Sequence, residues 1–363
     1  MSELPDDLRP AAEVVAHRAR RVESRAIGHT RDTVRSAMSP ATKLARRRRR
    51  RLSTGGQVCV VGSFMMDLVA SAPRRPMPGE TLVGTDFEMR LGGKGFNQAV
   101  AAARAGAGTS MVGVLGADGF GDGFRAALHD ENINDTWVGV DETAGTGVGL
   151  PVVEPDGQNS IIIVARGNLA VDAAYVEAAR EAIAAAHVLT LQLELPIASA
   201  IAAARIAHQA GTVVVLNPAP MSAVPAELLE NVDLLVPNEI ELDALVGHPV
   251  GEDVEAAATG LGARTDVDVV VTLGSRGVVV AARGKSATRL DAPRVTAVDT
   301  VGAGDVFCGY LAAGLAEQCE LAEAVCSANS AAALSVTRTG SATAAPRRSE
   351  VSSFAATSTL AGT

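Results

Sequence analysis

Short, unbroken apolar runs alternate with longer amphipathic stretches along most of this chain. Val58-Cys59-Val60-Val61, closed by Gly62, is the first such run. Strand-like runs recur at Ser110–Val114, Val188–Gln192, Thr212–Leu216, Asp233–Val236 and Val269–Leu273. Helical patterning falls at Asn97–Ala105, Ala173–Ala186, Ile197–Gln209, Glu239–Val246 and Asp305–Glu317. Apolar runs without polar alternation suit strands buried on both faces. Strands alternating with helices make parallel βαβ units, with helices covering both faces of a twisted sheet. The expected fold is therefore α/β. Thr81–Arg90 and Val148–Val164 break the rhythm, having strand character without intervening helices. They are expected to pair as a small antiparallel flap outside the main sheet.

Three segments are expected along the chain. Residues 1–56 hold 14 Arg and Lys against 6 Asp and Glu, with six consecutive arginines from Arg46 to Arg51. Like charges packed so densely repel one another and stay solvated, so a disordered extension is expected there rather than a nucleic-acid or membrane-surface arm. Residues 57–351 form the body, and 352–363 a short, small-residue tail expected to fray. The whole chain carries a net charge of −9 despite the basic extension. An acidic body argues against gripping nucleic acid with a broad basic face. With 47% apolar residues, the chain can bury a large core without staples. The four cysteines, Cys59, Cys308, Cys319 and Cys326, form no metal-binding spacing and suit reduced thiols. No apolar run reaches the roughly 18–20 residues needed to span a membrane. The basic N-terminus lacks the apolar core of a signal peptide. A soluble, cytoplasmic protein is expected.

The most informative segment is Asp299-Thr300-Val301-Gly302-Ala303-Gly304-Asp305, directly before a helical run. Glycines there let the backbone approach a ligand, and free N–H groups at the positive end of a helix make an anion hole. A carboxylate at the first turn, Asp305, could accept a proton from an attacking hydroxyl, or merely cap the helix. The segment matches neither the Walker A loop nor the G-x-G-x-x-G fingerprint. Gly92-Gly93-Lys94-Gly95-Phe96-Asn97-Gln98 is a second glycine-rich entry to a helix. Asp67 follows the first strand, at the edge where open α/β sheets bind ligands. Gln192-Leu193-Glu194, Pro237-Asn238-Glu239-Ile240-Glu241 and Thr272-Leu273-Gly274-Ser275-Arg276-Gly277 lie at ends of other apolar strands, so all should line one cleft.

These pieces together resemble the PfkB-type carbohydrate kinases, from about Val58 to about Val351. The resemblance is carried by GGKGFNQAVAAAR (Gly92–Arg104), LNPAP (Leu216–Pro220), VPNE (Val236–Glu239), TLGSRG (Thr272–Gly277), AVDTVGAGD (Ala297–Asp305) and LSVTRTG (Leu334–Gly340). The N-P-A-P stretch and the G-G-K-G-x-N-Q form point to the ribokinase branch.

The resemblance implies a three-layer, doubly wound α/β domain with a β-sheet lid, its strands within about 66–90 and 146–165, and a homodimer formed through the lids. It implies ATP-dependent phosphorylation of the primary hydroxyl of a pentose, ribose before 2-deoxyribose, another furanose or a nucleoside. By position, Asp305 resembles the catalytic base, with Gly302, Ala303 and Gly304 as the anion hole. Met65, Asp67, Gly93, Lys94, Asn97 and Glu194 match sugar-site positions. Asn238, Thr272, Leu273, Gly274, Ser275, Arg276, Gly277, Gly304 and Asn329 match ATP-site positions. Asn238 and Glu241 fit an N-x-x-E element linked to Mg²⁺ and phosphate. Asp299, Val301, Ser335, Arg338, Gly340 and Ala344 occupy positions of a K⁺ site, mostly as backbone carbonyl donors. Three departures stand out. Met65 replaces a common Asn, Arg166-Gly167-Asn168 replaces G-A-N in the lid, and Ala344 replaces a small hydroxyl or thiol. A non-catalytic sugar- or nucleotide-binding regulator is the rival class, against which the retained Asp305 and G-A-G turn argue.

Overall fold

β1 (Gln57–Val61) divides two cores. Val58 and Val60 pack on one side of it, Cys59 and Val61 on the other, all buried. That two-sided burial is what an unbroken apolar run requires, and each fully buried Val contributes about 1.5–3 kcal/mol. The computed structural model describes residues 55–360; most of the basic extension, 1–54, lies outside the described residues.

The chain leaves β1 into β2 (Met65–Ser71) and β3 (Asp86–Gly92). Next come α1 (Lys94–Arg104), β4 (Gly108–Gly116), α2 (Gly119–Asp130) and β5 (Asn134–Asp141). β6 (Gly147–Val153) and β7 (Asn159–Val164) precede α3 (Ala173–Ala178), α4 (Arg180–Ala185) and β8 (Val188–Leu191). α5 (Ile197–Ala210), β9 (Val213–Leu216), α6 (Ala226–Leu229), β10 (Leu234–Leu235), α7 (Glu239–Val246) and α8 (Val254–Thr265) continue the alternation. β11 (Asp268–Thr272), β12 (Val278–Ala281) and β13 (Thr288–Leu290) lead to α9 (Ala303–Ala316), α10 (Leu321–Ser335) and α11 (Arg348–Leu360).

Nine strands form one sheet in the order β13-β12-β11-β10-β9-β8-β1-β4-β5. The pairs from β11 to β5 are parallel, and β12 and β13 extend the edge antiparallel. The chain starts at β1, winds outward through β4 and β5, then returns to β8 on the other side. This doubly wound, three-layer arrangement puts the topological switch point between β1 and β8, where open α/β sheets bind ligands.

The second sheet, ordered β3-β2-β6-β7, is the lid. β2–β3 and β6–β7 are antiparallel as expected, but β2 and β6 pair parallel, so the lid is a mixed sheet. Residues 81–85 are outside any strand. Phe64, Phe96 and Phe124 cluster with centroid separations of 4.9 to 6.1 Å, tying the β1–β2 turn to α1 and α2.

The expected frayed tail is corrected. Through Leu360 it is the body of α11, leaving residues 361–363 outside the described residues. Buried Val351, the Arg338–Glu350 pair and Arg348, which bonds the Ala105 carbonyl and Glu317, fasten the helix to the core.

Candidate active site

The turns after β1 and β8 meet across the switch point. Ser63 Oγ donates to Glu194 Oε2, which also accepts the Lys94 backbone N–H at 2.8 Å. Gly93 caps α1 with φ 91°, and a Cβ on it would lie 2.7 Å from the Met65 nitrogen. Only glycine allows both that backbone conformation and that approach. The start of α1 is thereby pressed onto the β1–β2 turn, and Phe96 N–H bonds Ser63 O at 3.0 Å.

α9 points its N-terminus into the same space. Gly302 caps it in the left-handed region at φ 78°. Ala303 N–H makes a long bond to Thr300 O at 3.4 Å; the other N–H groups at the start of a helix have no acceptor within it and aim outward, where an anion would sit. Asp305, in that first turn, is buried. Its two oxygens are held separately: Asn97 Nδ2 donates to Oδ2 at 3.0 Å, and Gln98 Nε2 to Oδ1 at 3.2 Å.

Two cavities adjoin here. One of about 400 Å³ is lined by Lys94, Asn238, Glu241, Gly302 and Asp305, among others. The other, about 530 Å³, is lined by Ser275, Gly277, Ala292, Phe307, Asn329 and neighbours. Both share Thr272, Gly274 and Gly304. An elongated ligand with an apolar end in the larger cavity could pass over Gly274 and Gly304 and present an anionic end to the α9 N-terminus.

Carboxylates crowd the site. Burial first, and then the charge of Glu194, pushes Asp67 up to about 6. Burial also raises Glu194 and Glu241. Lys94 is held more basic than usual, above all by Asp305. This surplus of negative charge invites a cation arriving with the ligand. Glu241 and Asn238 form a capping box for α7, with Asn238 N–H to Glu241 Oε2 at 2.8 Å and Glu241 N–H to Asn238 Oδ1 at 2.9 Å. Both line the smaller cavity. One carboxylate and one carboxamide at a cavity wall suit a mostly hydrated Mg²⁺ that gains its remaining ligands from phosphate.

Residues 56–348 match the pfkB family carbohydrate kinases. The chain belongs to that family. Ribokinase of Haemophilus influenzae is 37% identical over 297 residues, covering 81% of this chain and 97% of that protein. Deoxyribokinase of Salmonella typhi is 34% identical over 292 residues, covering 80% and 95%. The structure of Arabidopsis thaliana ribokinase complexed with ribose and ATP is similar with a TM-score of 0.78 at 32% identity, covering 83% of this chain and 99% of that one.

Within this pfkB fold, Lys94, Asn238, Glu241, Thr272, Leu273, Gly274, Gly302, Gly304 and Asp305 line the smaller cavity. Thr272, Gly274, Ser275, Gly277, Ala303, Gly304 and Asn329 line the larger. Arg276 lines neither and pairs with Glu239. Asp67 lies inside β2 rather than in a loop after β1. Met65 shares its strand face by the alternation of β2, yet is buried, and its sulfur takes the Asn168 amide at 3.7 Å. The loops of the expected cation site adjoin: Val298 N–H bonds Val336 O at 2.7 Å, and Gly340 N–H bonds Asp299 Oδ2 at 3.0 Å. Ser335 spends its hydroxyl on Ala332 O, Arg338 its guanidinium on Glu350, and buried Ala344 has no side-chain donor atom. Backbone carbonyls, with the Ser335 hydroxyl oxygen, are therefore what these residues offer a cation.

Sequence reasoning placed Gln98 and Gln192 in segments at the site without giving either a role, and did not single out Asn217, Arg90 or Cys308 as site residues. Cys308 follows Asp305 by one turn and lines the smaller cavity. Gln98 and Asn217 lie within the segments GGKGFNQAVAAAR and LNPAP, where polar residues among apolar neighbours were the available signal.

Proposed function

We propose that this pfkB-family chain transfers the terminal phosphoryl group of ATP to the 5-hydroxyl of D-ribose, giving ribose 5-phosphate and ADP. The observation that carries the proposal is the position of Asp305, at the N-terminus of α9 where the two cavities meet. Ribokinase relatives at 34–37% identity over about four fifths of the chain support the sugar and the nucleotide.

Phosphoryl transfer needs positioning and charge stabilisation more than covalent chemistry. Asp67, Lys94, Asn97, Glu194 and the Gly93 backbone would bind the sugar. Asn97 Oδ1 is buried without a partner among the described residues, which suits it to accept a sugar hydroxyl. The larger cavity would take adenosine, with Asn238, Thr272, Gly274 and Gly277 along the phosphates. Asp305 takes the proton as the sugar oxygen forms its bond to the γ-phosphorus, and the bond to the bridging oxygen breaks to release ADP. The amides of Gly302, Ala303 and Gly304 offset charge on the transferring group. Mg²⁺, held by Asn238 and Glu241 through water and phosphate, would supply further positive charge there. Lid closure would exclude water and suppress ATP hydrolysis.

K⁺ would sit between the loop of Asp299 and Val301 and that of Ser335, Arg338, Gly340 and Ala344. On one face the lid exposes Phe87, Met89, Ile162 and Val164, an apolar surface that a second copy of the chain would cover as a homodimer. Among the described residues, no helix is long and apolar enough to cross a membrane. Free thiols at all four cysteines suit the reducing cytoplasm.

A second reading, 2-deoxyribose as substrate, is favoured by Met65, whose thioether offers a hydroxyl little. A panel of pentoses, hexoses and nucleosides with coupled ADP detection tests both. Ribose should give the highest kcat/KM and 2-deoxyribose a measurable second. ADP release that no sugar stimulates would contradict the kinase assignment.

A further inference from the structure

Behind Asp305 runs a chain of buried amides that no step above uses. Gln98 Nε2 donates to Asp305 Oδ1 at 3.2 Å and to Asn217 Oδ1 at 3.4 Å. Gln98 Oε1 accepts Gln192 Nε2 at 2.6 Å. Asn217 Nδ2 donates to the Val236 carbonyl at 2.9 Å. All three side chains are at least nine-tenths buried. They come from α1, the end of β8 and the end of β9, three elements converging on the switch point.

The direction of each amide follows from one group that cannot turn. A backbone carbonyl only accepts, so Asn217 must present its NH₂ to Val236 and its oxygen to Gln98. Gln98 must then present its NH₂ to Asn217 and Asp305, and its oxygen to Gln192. Gln192 must donate, which leaves its own Oε1 buried without a partner among the described residues. Such an orphan costs free energy, so the arrangement favours the donor facing Asp305 over local satisfaction of Gln192. Turning Gln98 over would set its oxygen against two acceptors.

We infer that Gln98 is a positioning residue for Asp305, with Asn217, anchored on the Val236 carbonyl, fixing the direction of its amide. Asn97 and Gln98 each hold one carboxylate oxygen, so the carboxylate plane is set from α1 before substrate arrives. This rests on the proposed role of Asp305 as the base.

The test is a double-mutant cycle with the best sugar of the panel. Gln98→Met keeps length and removes both donors. In the wild-type background it should lower kcat by about ten- to a hundredfold, with dissociation constants for ATP and sugar changed less than about twofold. In the Asp305→Asn background the same change should alter residual kcat by less than about threefold. Equal losses in both backgrounds would mean a structural role and overturn the inference. So would wild-type kcat in Gln98→Met while Asp305→Asn is inactive, which leaves the base assignment standing. Near-normal kcat in Asp305→Asn alone would overturn the base assignment and the inference with it. If Gln98→Met fails to fold, Asn217→Leu serves in the same cycle. It removes the acceptor that fixes the Gln98 amide and should lower kcat several-fold only when Asp305 is present; no loss there overturns the inference.

Discussion

Arg90 of the lid donates from Nη1 to Asp299 Oδ2 at 3.2 Å, joining β3 to the loop that leads into α9. The same carboxylate accepts Val301 N–H at 3.0 Å and Gly340 N–H at 3.0 Å. One side chain therefore ties together the lid, the anion-hole turn and the second loop of the proposed cation site. K⁺ should stimulate turnover more than Na⁺ or Li⁺ at fixed ionic strength. Asp299→Ala removes charge-assisted bonds worth about 2 kcal/mol or more and should weaken that stimulation. Rates equal in all three salts would count against a specific site.

Asp67 gives the site a pH dependence. Its carboxyl titrates at about 6, raised chiefly by burial. Below that it is protonated and accepts sugar hydroxyls poorly, so kcat/KM for the sugar should fall on acidification through pH 6. The sign for stability is opposite. A carboxyl raised in the folded state binds its proton more tightly there than in the unfolded chain, so ionised Asp67 weakens the fold at neutral pH. Asp67→Asn should be more stable than wild type at pH 7.5, by about 1–3 kcal/mol, and the gap should narrow at pH 5. A gap that widens at pH 5 would contradict this.

Met65 bears on sugar choice through Asn168. The Asn168 amide spends a contact on the Met65 sulfur, and its oxygen accepts Phe64 N–H at 2.9 Å. In Met65→Asn the new oxygen can take the Asn168 amide, while the new NH₂ faces the side of β2 that carries Asp67. The kcat/KM preference for ribose over 2-deoxyribose should widen by about 1 kcal/mol, the net scale of one hydrogen bond. An unchanged ratio would mean that position 65 does not read the sugar.

The lid should carry the dimer. Ile162 is 66% exposed and Met89 62%. Light scattering should give twice the chain mass for wild type and a monomer for the double variant Met89→Glu, Ile162→Lys. A wild-type monomer at micromolar concentration would remove the dimer.

Most of the central sheet was legible because its strands are unbroken apolar runs. α7 was read at Glu239–Val246, where Asn238 and Gly247 mark both ends. α2 was not read, since Gly119, Gly121 and Gly123 look like a loop; Asp118 capping Gly121 N–H at 2.9 Å and buried Phe124 and Leu128 override them. The stretch around Cys326 reads as helical, but α10 had no legible bounds because its Ala- and Ser-rich sequence has little apolar contrast. In the site, glycines and carboxylates beside helix starts were visible. Gln98 and Gln192 stood in the quoted segments, but their role was hidden, because a buried amide's importance lies in its partners, and Asp305 and Gln192 are 207 and 94 residues away from Gln98.

The kinase assignment turns most directly on kcat of Asp305→Asn with ATP and ribose. Asparagine keeps the shape, with its oxygen toward the Gln98 amide and its NH₂ toward the otherwise unpartnered oxygen of a turned Asn97, but it cannot take the hydroxyl proton. Turnover should fall by about 10²–10⁴-fold, with ATP affinity and melting temperature close to wild type. A folded Asp305→Asn protein that phosphorylates ribose at near the wild-type rate would contradict it.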